Sequence, residues 1–390
     1  MDFPYQLRVP GPTPIPSRVQ EAMAAPMINH RGPEFKQLLS EIEQGLKWGF
    51  QTANDLLLFP ASGTGGLESA VQNLISPGER VLAVTIGAFG DRFADLAAAY
   101  GADVVRLNVP WGEAADPEDI DETLAHEPEI RTVLITHNET STGVLNPLQP
   151  LAGVVKRHGR LLVVDGVSSI GSIDLPVDDW GVDVAITASQ KGWMLPPGLT
   201  MLSVSPAAWE RQAQARSPRF YFDWLKARQL QAEGATFTTP VVSILLGLRE
   251  ALRMMKAEGL PAIFARHRRI AAAFRAAASA LQLRLLAAPE FTSPTVTAVE
   301  LPQMLTGDQA KPLFKTWRER YRLVLAGGQG HLSGKIFRIG HLGAIEDADV
   351  IATVTAMEAG LKDEGYEFRS GAGLDAARQA LEARPGALIS

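Results

Sequence analysis

The chain has 390 residues and a formal net charge of -6 at pH 7. At about 150 residues per domain that length predicts two or three units, and the net acidity disfavours a polyanionic partner such as nucleic acid. No cysteine is present, which removes disulfides, thiolate metal sites, iron–sulfur clusters and a cysteine nucleophile together.

The start, Met1-Asp-Phe-Pro-Tyr5, lacks a basic region followed by an apolar one, so it does not read as a signal peptide. No uncharged apolar run approaches the roughly 18 residues a membrane span needs. The expectation is a cytoplasmic protein with no membrane segment and no metal site.

From residue 55 to about 205, short β-branched or Leu-rich runs alternate with helix-length amphipathic ones. That alternation predicts a mostly parallel sheet covered by helices on both faces. Strands are expected at Leu56 to Phe59, Arg80 to Thr85, Val104 to Asn108, Thr132 to Thr136, Leu161 to Asp165, Val182 to Thr187 and Leu199 to Ser203. A helix opening near Gly66 stops at Ser76-Pro-Gly, and Asp116-Pro117 opens another that runs to about His126, with proline in a first helical turn.

Residues 217–239 read as irregular and aromatic. A long helix follows Pro240 and a second covers about Pro261 to Leu281. Strands at Pro294 to Glu300, Leu323 to Leu325 and Ile336 to Ile339, with a helix over Asp347 to Leu361, predict a smaller α+β unit. The last twenty residues, with Gly371, Gly373 and Pro385, read as a weak helix in a loosely held tail.

Ligands of open α/β sheets bind beyond the carboxyl ends of the strands, so the loops there are the candidates. Ser62-Gly-Thr-Gly-Gly-Leu-Glu68 leads from the first strand into a helix. Amides at a helix start, small hydroxyls and the helix dipole suit a phosphate. The loop is neither a P-loop nor a GxGxxG fingerprint, and a bare turn is its alternative. Phe89, in Gly87-Ala-Phe-Gly-Asp-Arg92, can stack on a flat ligand or simply join a core. In His137-Asn-Glu-Thr-Ser-Thr-Gly143, Thr140 or Asn138 can hydrogen-bond a ring oxygen, with a solvated turn as the alternative.

Asp165 and Lys191 end two apolar runs. A carboxylate and an amine there are costly unless they meet a partner. Together they suit the two ends of a pyridoxal phosphate ring: the carboxylate keeps the pyridine nitrogen protonated, and the lysine forms a Schiff base and carries a proton. Arg338, in Lys335-Ile-Phe-Arg-Ile-Gly-His-Leu-Gly343, can clamp a carboxylate or stand on an edge strand.

These residues resemble the class V, fold-type I pyridoxal-phosphate aminotransferases, specifically the alanine-glyoxylate and serine-glyoxylate (serine-pyruvate) group. The likeness runs from Pro10-Gly-Pro-Thr-Pro14 to about Leu361. It rests on Ser62-Gly-Thr-Gly, the 137–143 run, Val164-Asp165-Gly-Val-Ser-Ser169, Ser189-Gln-Lys-Gly192 with Pro196-Pro-Gly198, and Arg338-Ile-Gly340. The resemblance implies a large domain with a mostly parallel seven-stranded sheet and a smaller C-terminal α+β domain. Its divisions are an N-terminal arm over 1–18, a cofactor-binding domain over 19–258, a small domain over 259–370 and a tail over 371–390.

It further implies Lys191 as Schiff-base lysine, Asp165 as partner of the pyridine nitrogen and Thr140 beside the ring hydroxyl. Ser62, Gly63, Thr64 and Gln190 take the phosphate, Phe89 stacks on the ring, Arg338 holds the substrate carboxylate and Gly11 lies along the substrate. Thr239 matches a position that completes the phosphate site from the neighbouring subunit of a homodimer. The stacking position, often tryptophan in this group, is Phe89, and a tyrosine that often reaches the phosphate is not evident near Thr236 and Phe237.

The implied activity moves the amino group of alanine or serine to glyoxylate or pyruvate by a ping-pong mechanism. Aspartate, ureidoglycine or pyridoxamine as donor, or a lyase reaction, are the alternatives. A cysteine-using desulfurase is excluded by composition. Some members of this branch carry a label as a hydrogenase subunit, but a chain without cysteine offers nickel or an iron–sulfur cluster no thiolate.

Overall fold

The computed structural model describes residues 5–383. A short strand β1 (Gln6–Arg8) precedes helices Ser17–Met23 and Pro33–Phe50. Strands β2 (Asp55–Phe59), β3 (Arg80–Thr85), β4 (Asp103–Asn108) and β5 (Thr132–Thr136) then alternate with helices Gly63–Leu74, Ala88–Ala99 and Pro117–His126. A two-residue pair, β6 (Asn138–Glu139) and β7 (Val144–Leu145), and helix Leu148–Arg157 lead to β8 (Leu161–Asp165), β9 (Val184–Ala188) and β10 (Thr200–Val204).

Seven of these strands form one sheet in the order β2-β10-β9-β8-β5-β3-β4. β10 runs antiparallel to both of its neighbours, whereas β9, β8, β5, β3 and β4 pair in parallel. The expected mostly parallel fold-type I architecture is therefore present.

Both faces of the central strands are buried, which is why their sequences are apolar throughout rather than alternating. Leu82 and Val84, Val133 and Ile135, and Leu162 and Val164 face one layer, with helices Pro33–Phe50, Pro117–His126 and Leu148–Arg157. Their neighbours Val81, Ala83, Leu134 and Val163 face the other, with helices Gly63–Leu74 and Ala88–Ala99. Each Val, Leu or Ile so buried contributes roughly 1.5–3 kcal/mol.

Small residues let the helices come close. A Cβ at Gly45 would lie 2.6 Å from Leu252 Cδ1, so helix Pro33–Phe50 seats directly on helix Val242–Glu258.

A second sheet joins β1 to β11 (Val296–Glu300), β12 (Leu323–Gly327) and β13 (Ile336–Gly340) in the order β1-β12-β13-β11. Its core gathers helices Leu260–Ala280, Ala310–Arg320, Asp347–Asp363 and Ala372–Glu382. The N-terminal arm thus supplies an edge strand, parallel to β12. Arg8 fixes it there through Asp349 and, at 3.2 Å, Thr353 Oγ1.

Three sequence expectations are corrected. Residues 224–232 of the supposedly irregular stretch form helix Trp224–Ala232, capped by Asp223 and anchored by the fully buried Trp224. The helix expected to open near Gly66 starts at Gly63, with Ser62 as its cap. The C-terminal helix Ala372–Glu382 is not loosely held: Ala377 and Ala380 are buried, and Glu358 accepts N–H bonds from Gly371 and Leu374 at 3.0 and 2.9 Å. Pro385 lies outside the described residues.

Candidate active site

Parallel pairing of β8 and β9 sets the ends of both strands side by side, with Asp165 in register with Ile186. Asp165 is the last residue of β8, and Lys191 follows β9 by three residues. Both line one cavity of about 300 Å³, together with Gly11, Ser62, Gly63, Thr64, Phe89, Thr140 and Gln190.

Burial dominates the electrostatics of this pair. It pushes the Lys191 amine down to about 8 and is only partly opposed by the Asp165 charge, while Arg338 adds to the fall. Burial also pushes the Asp165 carboxyl up to about 6; an N–H bond from Val167 at 2.9 Å opposes this and the charge of Glu139 adds to it. Asp165 Oδ1 takes that bond, which is the one hydrogen bond of its carboxylate among the described residues.

The N-terminal arm crosses directly over the lysine. Lys191 Nζ donates to the carbonyl of Pro10, Thr13 N–H donates to Gln190 O at 3.1 Å, and the Thr13 hydroxyl donates to Lys191 O at 3.2 Å. Gly11 has φ +127°, and a Cβ there would sit 2.7 Å from Lys191 Cδ, Cε and Nζ. Only glycine combines that backbone with that clearance.

Ser62 caps helix Gly63–Leu74 by accepting from Gly65 N–H at 3.5 Å. The N–H groups of Gly63 and Thr64 have no acceptor among the described residues, as befits a first helical turn. A Cβ on Gly63 would meet Val167 Cγ2 at 2.9 Å, so the amides are drawn close to the loop after Asp165.

Phe89 opens helix Ala88–Ala99, and Arg92, one turn on, lies over its ring at 4.8 Å and donates to Thr64 Oγ1 at 3.4 Å. Arg92 lines the cavity. The sequence reading passed over it, although its position three residues after Phe89 puts both on one helical face.

Glu139 was also passed over. Its carboxylate is wholly buried and takes N–H bonds from Phe89 and Gly90, each at 3.0 Å. Asn138 Nδ2 is committed to Ser168 Oγ at 2.8 Å and Thr295 Oγ1 at 2.9 Å, but its Oδ1 is buried without a partner among the described residues, and both Asn138 and Thr140 line the cavity. Each residue of the pair thus keeps a polar atom available to a ligand, an acceptor in Asn138 Oδ1 and a hydroxyl in Thr140.

Arg338, in the middle of β13, is buried and reaches the site from the second sheet. Its Nη1 donates to Thr140 O and its Nε to Gly327 O, both at 2.9 Å, leaving Nη2 without a partner among the described residues. Thr239 is exposed and stands apart from the cavity residues of its own chain.

The sequence profile of the family "Aminotransferase class-V" matches residues 10–316. The chain belongs to the class-V aminotransferases.

Similarity to this aminotransferase extends over nearly its whole length. It is 45% identical over 379 residues to a protein of Synechococcus sp. (strain PCC 6716) named soluble hydrogenase, small subunit, covering 96% of this chain and 98% of that one. It is 41% identical over 377 residues to the L-aspartate–glyoxylate aminotransferase of Paracoccus denitrificans, with 95% and 94% covered. Among solved structures, the ureidoglycine-glyoxylate aminotransferase of Bacillus subtilis superposes with a TM-score of 0.91 at 29% identity, covering 97% of this chain and 98% of the other.

Proposed function

We propose that this aminotransferase uses pyridoxal 5'-phosphate to move the amino group of alanine or serine to glyoxylate or pyruvate. The observation that carries the reading is the pairing of Lys191 with Asp165 in one buried cavity, opposite the free amides of Gly63 and Thr64. Pyridoxal phosphate supplies an aldehyde that captures amino groups and a protonated ring that withdraws electrons from the adjacent carbon.

The cavity's unpartnered groups fit that molecule. Asp165 Oδ2 answers the ring nitrogen and the Thr140 hydroxyl the ring hydroxyl. Ser62, Gly63, Thr64 and Gln190 answer the phosphate, with Arg92 adding positive charge through its bond to Thr64. Phe89 packs on the ring. Lys191, with its amine lowered to about 8, holds the aldehyde and moves the proton at the substrate's α-carbon.

Arg338 Nη2 binds the substrate carboxylate, and Gly11 gives the room beside it. Arg92, the arginine that lines the cavity, is engaged with Phe89 and Thr64 at the phosphate end. One free clamp favours a donor with a single carboxylate. Aspartate is the alternative that the Paracoccus relative supports, with ureidoglycine next on the likeness to the Bacillus structure.

A homodimer in which Thr239 of one subunit completes the phosphate site of the other accounts for the exposed position of that residue. Residues 19–258 form the cofactor-holding domain in this reading, 259–370 the smaller one, and the enzyme is cytoplasmic. The name of the Synechococcus relative does not transfer a redox role, because this chain has no cysteine to ligate a redox metal.

Lys191→Ala abolishes turnover and removes visible absorbance from the purified protein if the reading is right. A panel of half-reactions then assigns the partners: alanine or serine is expected to bleach the visible band, and glyoxylate or pyruvate to restore it. Bleaching by aspartate alone overturns the donor assignment, and full activity in Lys191→Ala overturns the mechanism.

A further inference from the structure

Glu139 has no part in the chemistry above, yet it is a fully buried acid beside the site. Resting on the pyridoxal-phosphate reading, we propose that Glu139 is a positioning residue: its ionised carboxylate clamps the Phe89 backbone for stacking and sets a fixed negative charge near Asp165 and Lys191.

The hydrogen bonds dictate the charge state. Oε2 accepts from the N–H groups of Phe89 and Gly90, each at 3.0 Å, and Oε1 accepts from Ser141 N–H at 3.0 Å and Ser141 Oγ at 2.6 Å. All four partners donate. A protonated acid would bring a fifth donor into that ring, and a neutral amide would bring an NH2 group that has no acceptor there. Burial pushes the Glu139 carboxyl up, and the four bonds offset that rise only in part.

The bonds also dictate geometry. Phe89 and Gly90 lie in the first turn of helix Ala88–Ala99, where N–H groups have no partner within the helix. Ala88 N–H is tied to the same run through Ser141 Oγ at 2.9 Å. Three successive amides are therefore fixed from β6 and the turn after it. Gly87 permits this approach, since a Cβ there would lie 2.4 Å from Glu139 Cγ.

The fixed charge reaches the reacting groups. The charged groups facing Lys191 are Asp165 from β8, Arg338 from β13, Glu139 from β6 and Arg92 from helix Ala88–Ala99. Glu139 favours the protonated lysine and raises the Asp165 carboxyl.

Glu139→Gln and Ser141→Ala separate clamp from charge. In the cofactor-free protein, amide exchange at Phe89 and Gly90 is expected to speed up in Glu139→Gln, a readout that does not depend on the cofactor. With pyridoxal phosphate added, Kd is expected to rise about tenfold in Glu139→Gln, which loses charge-assisted bonds. The pH midpoint of its visible band is expected to fall by about half a unit, because a neighbouring negative charge has gone.

Ser141→Ala keeps the charge, so its Kd rises while its midpoint stays. Unchanged amide exchange, or Kd within twofold of the parent in both variants, overturns the proposal. If Glu139→Gln does not fold, an unaltered Kd in Ser141→Ala overturns it alone. A parent protein that takes up no pyridoxal phosphate overturns the cofactor reading instead, and the amide-exchange result still decides whether Glu139 holds the loop.

Discussion

Lys191 is an amine that folding makes easier to deprotonate. Its value falls from 10.5 to about 8 through burial, so the folded chain binds fewer protons there than the unfolded chain between those two values. This group therefore makes the cofactor-free protein more stable as pH rises from about 8 towards 10.5. Asp165, raised from 3.8 to about 6 by burial, acts in the opposite sense, so its contribution falls as pH rises through that window. Denaturant unfolding of the parent and of Lys191→Met, followed from about pH 8 to 10.5, is expected to show a gap that changes with pH in the parent's favour. A constant gap contradicts the shift. Asp165 and Lys191 were legible in sequence because charged residues ending apolar strands have few ordinary explanations. Glu139 was not, because acids in Asn/Ser/Thr/Gly runs usually face water, and only the fold brings Gly87 to Gly90 against it.

At the scale of elements, helix Gly63–Leu74 depends on one close approach. A Cβ at Gly66 would lie 2.2 Å from Thr200 Oγ1 and 2.7 Å from Ile186 Cγ2. Gly66→Val is expected to destabilise the protein by roughly 1–3 kcal/mol through overpacking, and to weaken cofactor binding as the helix start shifts. Urea unfolding measures the first effect and cofactor titration the second. The central strands were legible because both of their faces are buried and short runs rich in Val, Ile and Leu fill them. Helix Trp224–Ala232 was not, because its short aromatic sequence lacks a clean stripe, although Asp223 in capping position was a usable sign. Strand β1 was hidden for a different reason: three residues carry no period of their own, and their partner is far along the chain.

On the scale of the molecule, the arm ties the second sheet to the loop that carries Lys191. Arg8 is buried, bonded to Asp349 and Thr353, and followed within a few residues by the segment over Lys191. Arg8→Ala is expected to cost about 1–3 kcal/mol, since it removes a largely buried charged donor. It should also raise the Kd for pyridoxal phosphate, measured by titration, more than an exposed substitution such as Arg284→Ala does.

The arm's position also has a consequence in time. Its strand β1 is made well before β12, the strand that receives it, which follows roughly 300 residues later, on the order of 15–60 s at about 5–20 residues per second. Until then β1 has no strand to pair with, and the arm over Lys191 is held only by its own bonds to Gln190 and Lys191. The large sheet, complete at Val204, can form before that pairing, so a growing chain offers its cofactor a wider door than the finished protein does.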